Sequence, residues 1–135
     1  MFNAAIFDWD GTLADTREAI LFSFHKALNQ VHCDVSDEFI ERRIGIGAAK
    51  TFKEILQAQN VSFDEALIRK LVEMKIQAEI DLSNEIDLFE GAAELLEYLQ
   101  DKVKVGLASM NNRRVIDHLL KTTNTQQFFK TIVTA

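Results

Sequence analysis

Apolar positions recur along this chain with two different periods. Ala4-Ala5-Ile6-Phe7 is a short unbroken apolar run that ends at Asp8 and soon meets Gly11, which fits a buried strand better than a helix. From Ile20 the spacing turns helical, with Ile20, Phe24, Ala27, Leu28 and Val31 on one face and Asp15 or Thr16 available as the N-cap. Ser36, followed by Asp37 and Glu38 in a favourable first turn, predicts a second helix that stops near Gly45-Ile46-Gly47. Phe52, Ile55 and Leu56 mark a third, short helix. Ser62-Phe63-Asp64-Glu65 has the form of a capping box and predicts a helix to about Leu82, with Leu67, Ile68, Leu71, Met74 and Ala78 along one side.

Beyond the Asp87-Leu88-Phe89 turn, Gly91 opens a helix whose Ala92, Leu95, Leu96 and Leu99 keep the helical repeat. The period then drops to two. Val103, Val105 and Leu107 alternate with Lys102, Lys104 and Gly106, predicting a strand to Ser109. Asn111 or Asn112 can cap a helix with Val115, Ile116, Leu119 and Leu120 inward, and Thr131-Ile132-Val133-Thr134 reads as a third strand. The order strand, helical block, helix, strand, helix, strand predicts the α/β class with right-handed crossovers. The expected architecture is a partial Rossmann-like parallel-sheet core of three strands, residues 1–15 and 83–135, interrupted by an all-helical cap, residues 16–82.

Composition narrows the function classes. A hydrophobic content of 47% supports a real core. The 15 basic and 21 acidic residues give a net charge of -6, so no general nucleic-acid partner is expected. The single Cys33 cannot form an internal disulfide, and His25, His32 and His118 lack companions at metal-ligand spacing. No apolar stretch approaches the roughly 20 residues that span a bilayer. A cytoplasmic protein without a membrane partner is the expectation.

The chemistry gathers at the predicted strand ends. Asp8 and Asp10 are two residues apart, which puts both carboxylates on the same side of an extended segment. Such a pair can hold a divalent cation between them, one carboxylate attacking phosphorus while the other protonates the leaving oxygen; it can also simply make turn hydrogen bonds. Gly11 permits a tight turn, and Thr12 adds a hydroxyl and an amide near a phosphate. At the end of the second strand, the Ser109 hydroxyl and the helix N-terminal amides beside it suit a phosphate oxygen, although a loop hydroxyl is the plainer reading. In the helical block, Arg42, Arg43, Gly45, Gly47, Lys50 and Lys53 surround the one flexible stretch. They are either substrate contacts or solvent-facing helix charges.

The longer string changes the balance. Phe7-Asp8-Trp9-Asp10-Gly11-Thr12-Leu13-Ala14-Asp15-Thr16 resembles the first signature of the haloacid dehalogenase-like superfamily, in its phosphatase and phosphomutase branch. Ala108-Ser109-Met110-Asn111 resembles the second, and the helical insertion resembles the cap of the phosphoglycolate phosphatase and β-phosphoglucomutase group. The resemblance implies a Mg2+-dependent phosphatase acting on a small phosphorylated metabolite. In it Asp8 is nucleophile and metal ligand, and Asp10 is acid/base and ligates through its carbonyl. Gly11, Thr12, Ser109, Met110 and Asn111 bind phosphate, with Arg43, Gly47 and Lys50 as substrate contacts. A sugar phosphomutase is the alternative enzyme, and an inactive assembly or regulatory module the alternative of another class.

The resemblance also implies a third signature, a Lys, and a fourth, an acidic pair, both beyond Ala135. The chain is therefore expected to be C-terminally truncated and hydrolytically weak alone. In that topology strand one would be left as an apolar edge through which copies could self-associate.

Overall fold

A computed structural model describes residues 1–135. Three short parallel strands, β1 (Ala4–Phe7), β2 (Lys104–Ala108) and β3 (Thr131–Val133), form one sheet in the order β1-β2-β3. Ala5 stands opposite Val105 and Phe7 opposite Leu107, while Leu107 also faces Ile132. This register brings the C-terminal ends of β1 and β2 side by side. In β2 the alternation read from the sequence is realised, with Val105 and Leu107 buried between the exposed Lys104 and Ala108. β1 is the open edge, and Ile6 there is 76% exposed.

Six α-helices complete the chain: α1 (Arg17–Leu28), α2 (Asp37–Glu41), α3 (Ala48–Ala58), α4 (Glu65–Asp81), α5 (Ala92–Leu99) and α6 (Arg113–Thr122). Their apolar faces build two clusters. One surrounds the sheet and contains Trp9, Leu13, Leu96, Val105, Leu107, Ile116, Leu119 and Leu120. The other lies among α1 to α4 and joins Phe24, Leu28, Ile40, Phe52, Ile55, Leu56, Ile68 and Leu71. Phe24 and Phe52 meet there with ring centroids 4.9 Å apart, a spacing typical of favourable tilted aromatic pairs.

The chain leaves the sheet after Ala14 and returns at Asp87, and these two connections are tied together. Asp15 N donates to Asp87 O and Phe89 N donates to Leu13 O, both at 2.9 Å.

Three details depart from the sequence reading. The helix expected to run from Ser36 to Gly45 is α2, which ends at Glu41. Arg43 N and Ile44 N instead donate to carbonyls three residues back, and Gly45 and Gly47 adopt φ of +101° and +97°, a region that favours glycine. Ser36 itself caps as expected, accepting from Phe39 N. For α4 the cap is Asp64, which accepts from Leu67 N at 2.8 Å, and not Ser62. Thr16 is the N-cap of α1 by position, yet its side chain makes no cap bond. That hydroxyl is used elsewhere.

Candidate active site

The end of β1 delivers Asp8 and Asp10, the end of β2 delivers Ser109, Met110 and Asn111, and the segment between α2 and α3 lies across from them. Together these pieces line a cavity of about 420 Å³, whose wall also includes Arg43, Gly47 and Lys75. Two loops far apart in sequence meet because adjacent parallel strands end at the same edge of the sheet.

Asp8 is exposed, and its Oδ1 accepts from Trp9 N at 2.7 Å. Asp10 is more enclosed and held at both oxygens. The Thr16 hydroxyl donates to Oδ1 at 2.8 Å, and the Asn111 amide donates to Oδ2 at 3.4 Å. Burial raises the Asp10 pKa above its ordinary value; hydrogen bonds from Thr16 and Asn111 and the charge of Lys75 oppose this, while the Asp8 charge adds to it. Desolvation is the largest cause. The two carboxylates therefore differ, one open to solvent and one shifted toward its protonated form.

Ser109 is buried and its Oγ accepts from Asn111 N at 3.0 Å, which leaves the hydroxyl hydrogen free to donate. Asn112, not Asn111, caps α6, accepting from Arg114 N, while Asn111 Oδ1 accepts from Asn112 N at 2.7 Å. Gly11 and Thr12 are outside the cavity wall. They form the turn after β1, where Gly11 N donates to Ala14 O and Thr12 N to Trp9 O.

Of the cations expected near the substrate, Arg43 reaches the cavity. Its Nε donates to Glu54 at 2.6 Å, its Nη1 to Phe39 O, and its guanidinium stacks 3.6 Å from the Phe39 ring centroid. Gly47 lies opposite Met110, so that a Cβ there would stand 3.8 Å from Met110 Cε. Lys50 lies outside this wall and lines a separate surface groove with Ser36, Arg42 and Glu54.

The sequence reading missed Thr16 as a partner of Asp10, and it missed Lys75 and Glu79. These last two are buried on α4 and paired at 2.8 Å. A Lys and a Glu four residues apart on a helix look like any solvated pair, and only tertiary packing turns them inward.

Asp8 and Asp10 are the two carboxylates in the cavity wall, and no group of three or more His, Cys, Asp or Glu able to hold a metal is present. Such a pair suits Mg2+, which usually takes one or two carboxylates and keeps several waters. A divalent cation there would also relieve the repulsion that Asp8 exerts on Asp10.

The family model described as haloacid dehalogenase-like hydrolase matches residues 5–135. The chain belongs to this family. Among its relatives, a pyrophosphatase, PpaX, of Bacillus cereus (strain Q1) is 30% identical over 135 residues, covering 98% of this chain and 59% of the relative. A hydrolase from Pseudomonas syringae superposes with a TM-score of 0.87 at 27% identity, over 98% of this chain and 61% of that one. A β-phosphoglucomutase from Clostridium difficile gives the same TM-score at 28% identity, with 98% and 61% covered. The haloacid dehalogenase-like chain thus spans about three-fifths of the length of these relatives, and its fold class matches theirs. No helix is long and apolar enough to cross a membrane.

Proposed function

We propose that the protein is a Mg2+-dependent phosphatase of small phosphate monoesters or anhydrides, working through a phosphorylated Asp8. The observation that carries this reading is the pairing of an exposed carboxylate, Asp8, with an enclosed, proton-favouring one, Asp10, in one cavity with the Ser109 hydroxyl. Asp8, open to the cavity, is placed to attack phosphorus and form an acyl phosphate. Asp10, whose pKa is raised, gives a proton to the leaving oxygen and then takes one from the water that hydrolyses the acyl phosphate. Ser109 donates to a phosphate oxygen, with Met110 and Asn111 completing that wall. When bound, Mg2+ would neutralise charge between Asp8 and the phosphate, held by the Asp8 carboxylate and the Asp10 carbonyl.

The helical unit, residues 16–82, would act as a cap over this site, with Arg43 and Gly47 toward the leaving group. Gly11 and Thr12 are assigned to shaping the turn that presents Asp10, since their amides are already engaged. Lys50, in its separate groove, is not assigned to the substrate.

The pyrophosphatase relative suits an anhydride or a compact ester. The similarity to a β-phosphoglucomutase keeps a second reading, transfer of the phosphoryl group back to a sugar. Incubating the full-length protein with sugar 1-phosphate separates the two, because a phosphatase releases inorganic phosphate and a mutase yields the 6-phosphate without release. Trapping of phosphate on Asp8 by hydroxylamine, absent in Asp8→Asn, tests the covalent step.

A further inference from the structure

The cavity has two unlike sides. The loops after β1 and β2 line it with carboxylates, a hydroxyl and amides, whereas the helical unit lines it with Ile20 and Phe24 of α1, Ile44 of the segment before α3, and Val72 and Ile76 of α4. The polar side chains on the helical side are Thr51, Arg43 and Lys75, and each is already engaged. Thr51 Oγ1 donates to Gly47 O at 2.9 Å. Arg43 Nε donates to Glu54 Oε2 at 2.6 Å, and its Nη1 to Phe39 O at 2.9 Å. Lys75 Nζ lies 2.8 Å from Glu79 Oε2, with the two side chains only 6% and 2% exposed. Each cation is thus balanced by a carboxylate of the helical unit itself, and both carboxylates, Glu54 and Glu79, stand outside the cavity wall. The helical side is therefore largely apolar and carries no net charge.

We propose that this side selects phosphate monoesters whose leaving alcohol is uncharged and has an apolar skeleton, against leaving groups that are themselves anions. The inference rests on the phosphatase reading above, in which the helical unit faces the leaving group. A carboxylate or second phosphate brought here gives up its hydration and meets cations already balanced by Glu54 and Glu79, so its burial goes uncompensated. A hydrocarbon skeleton laid against Phe24, Val72 and Ile76 instead gains by leaving water. Arg43 and Lys75 keep N–H groups beyond those their partners take, which suits a neutral hydroxyl or ether-like oxygen. The volume of about 420 Å³ is toward the small end for small-molecule sites and fits a compact alcohol.

An isosteric pair of substrates isolates the charge. In 3-methylbutyl phosphate an isopropyl group stands where the phosphate ester of 3-hydroxypropionate has its carboxylate. For the full-length protein, kcat/KM is expected to favour the methylbutyl ester by about tenfold or more. Glu54→Gln tests the cause. Glu54 is partly exposed, and its neutralisation leaves Arg43 unbalanced beside the cavity while Phe39 O and the Phe39 ring still hold the guanidinium. The variant is expected to raise kcat/KM for the carboxylate ester about threefold or more, with the methylbutyl ester changing less than about twofold. Ile44→Lys, at a position of the same wall that is 37% exposed, adds an unpaired cation and is expected to shift the ratio the same way should Glu54→Gln fail to fold.

Equal kcat/KM for the two esters, a preference for the carboxylate ester, or a folded variant whose ratio does not move would overturn the proposal and leave the phosphatase reading standing. Turnover of pyrophosphate without turnover of either ester would do the same. No phosphate release from any of the three, or release that survives Asp8→Asn, would instead overturn the phosphatase reading itself.

Discussion

Asp8 and Asp10 are chemically identical groups two residues apart, and their surroundings separate them. Asp10 lies against the protein, where desolvation raises its pKa despite bonds from Thr16 and Asn111. A carboxyl shifted this way contributes stability that is fully present below its unfolded pKa, near 3.8, and is lost as pH rises through its higher folded value. Asp10→Asn removes that loss. In a chelating buffer, thermal melts are therefore expected to show the variant gaining on the wild type as pH is raised from 4 to 7, with a higher Tm at pH 7. A constant difference across that range would contradict the assignment. The Lys75–Glu79 pair gives an opposite case: Lys75→Ala leaves a buried carboxylate uncompensated and is expected to cost about 3–5 kcal/mol in denaturant unfolding.

At the scale of elements, cap chemistry decides where helices begin. Asp64→Ala is expected to cost about 1 kcal/mol by removing the acceptor for Leu67 N, whereas Ser62→Ala should be nearly silent in the same chemical melt. The sequence pattern read the opposite way there, because Ser62 with Glu65 matches a capping box as well as Asp64 matches a simple N-cap. Local chemistry could not choose between caps two residues apart. The strands and the apolar faces of α1, α3, α4 and α6 were legible because their periods are distinct, whereas in α5 Leu95, read as inward, is 43% exposed and only Ala92 and Leu96 are buried; the Asp8/Asp10 and Ser109 loops were legible because each directly follows a strand. What the pattern could not carry was tertiary direction. Thr16 was read as a cap but points to Asp10, Lys50 shares a surface groove with Arg43 but does not reach the cavity of Asp8 and Asp10, and the Lys75–Glu79 pair was invisible among surface-like charges.

For the whole molecule, two apolar clusters joined by paired connections at residues 13–15 and 87–89 put the cavity at the seam between the sheet and the helical unit. The sheet presents β1 as an open edge with Phe2 and Ile6 exposed, a surface that favours edge pairing. The 135-residue chain prepared alone is expected to self-associate with rising concentration in analytical ultracentrifugation, and Ile6→Lys is expected to reduce this; a monomer at all concentrations would contradict it. Inorganic phosphate release by the full-length protein, measured with and without Mg2+ for wild type and Asp8→Asn on a panel of small phosphate esters and pyrophosphate, is expected to require both the metal and Asp8. Metal-independent turnover, or turnover that survives Asp8→Asn, would contradict a metal-assisted attack by Asp8.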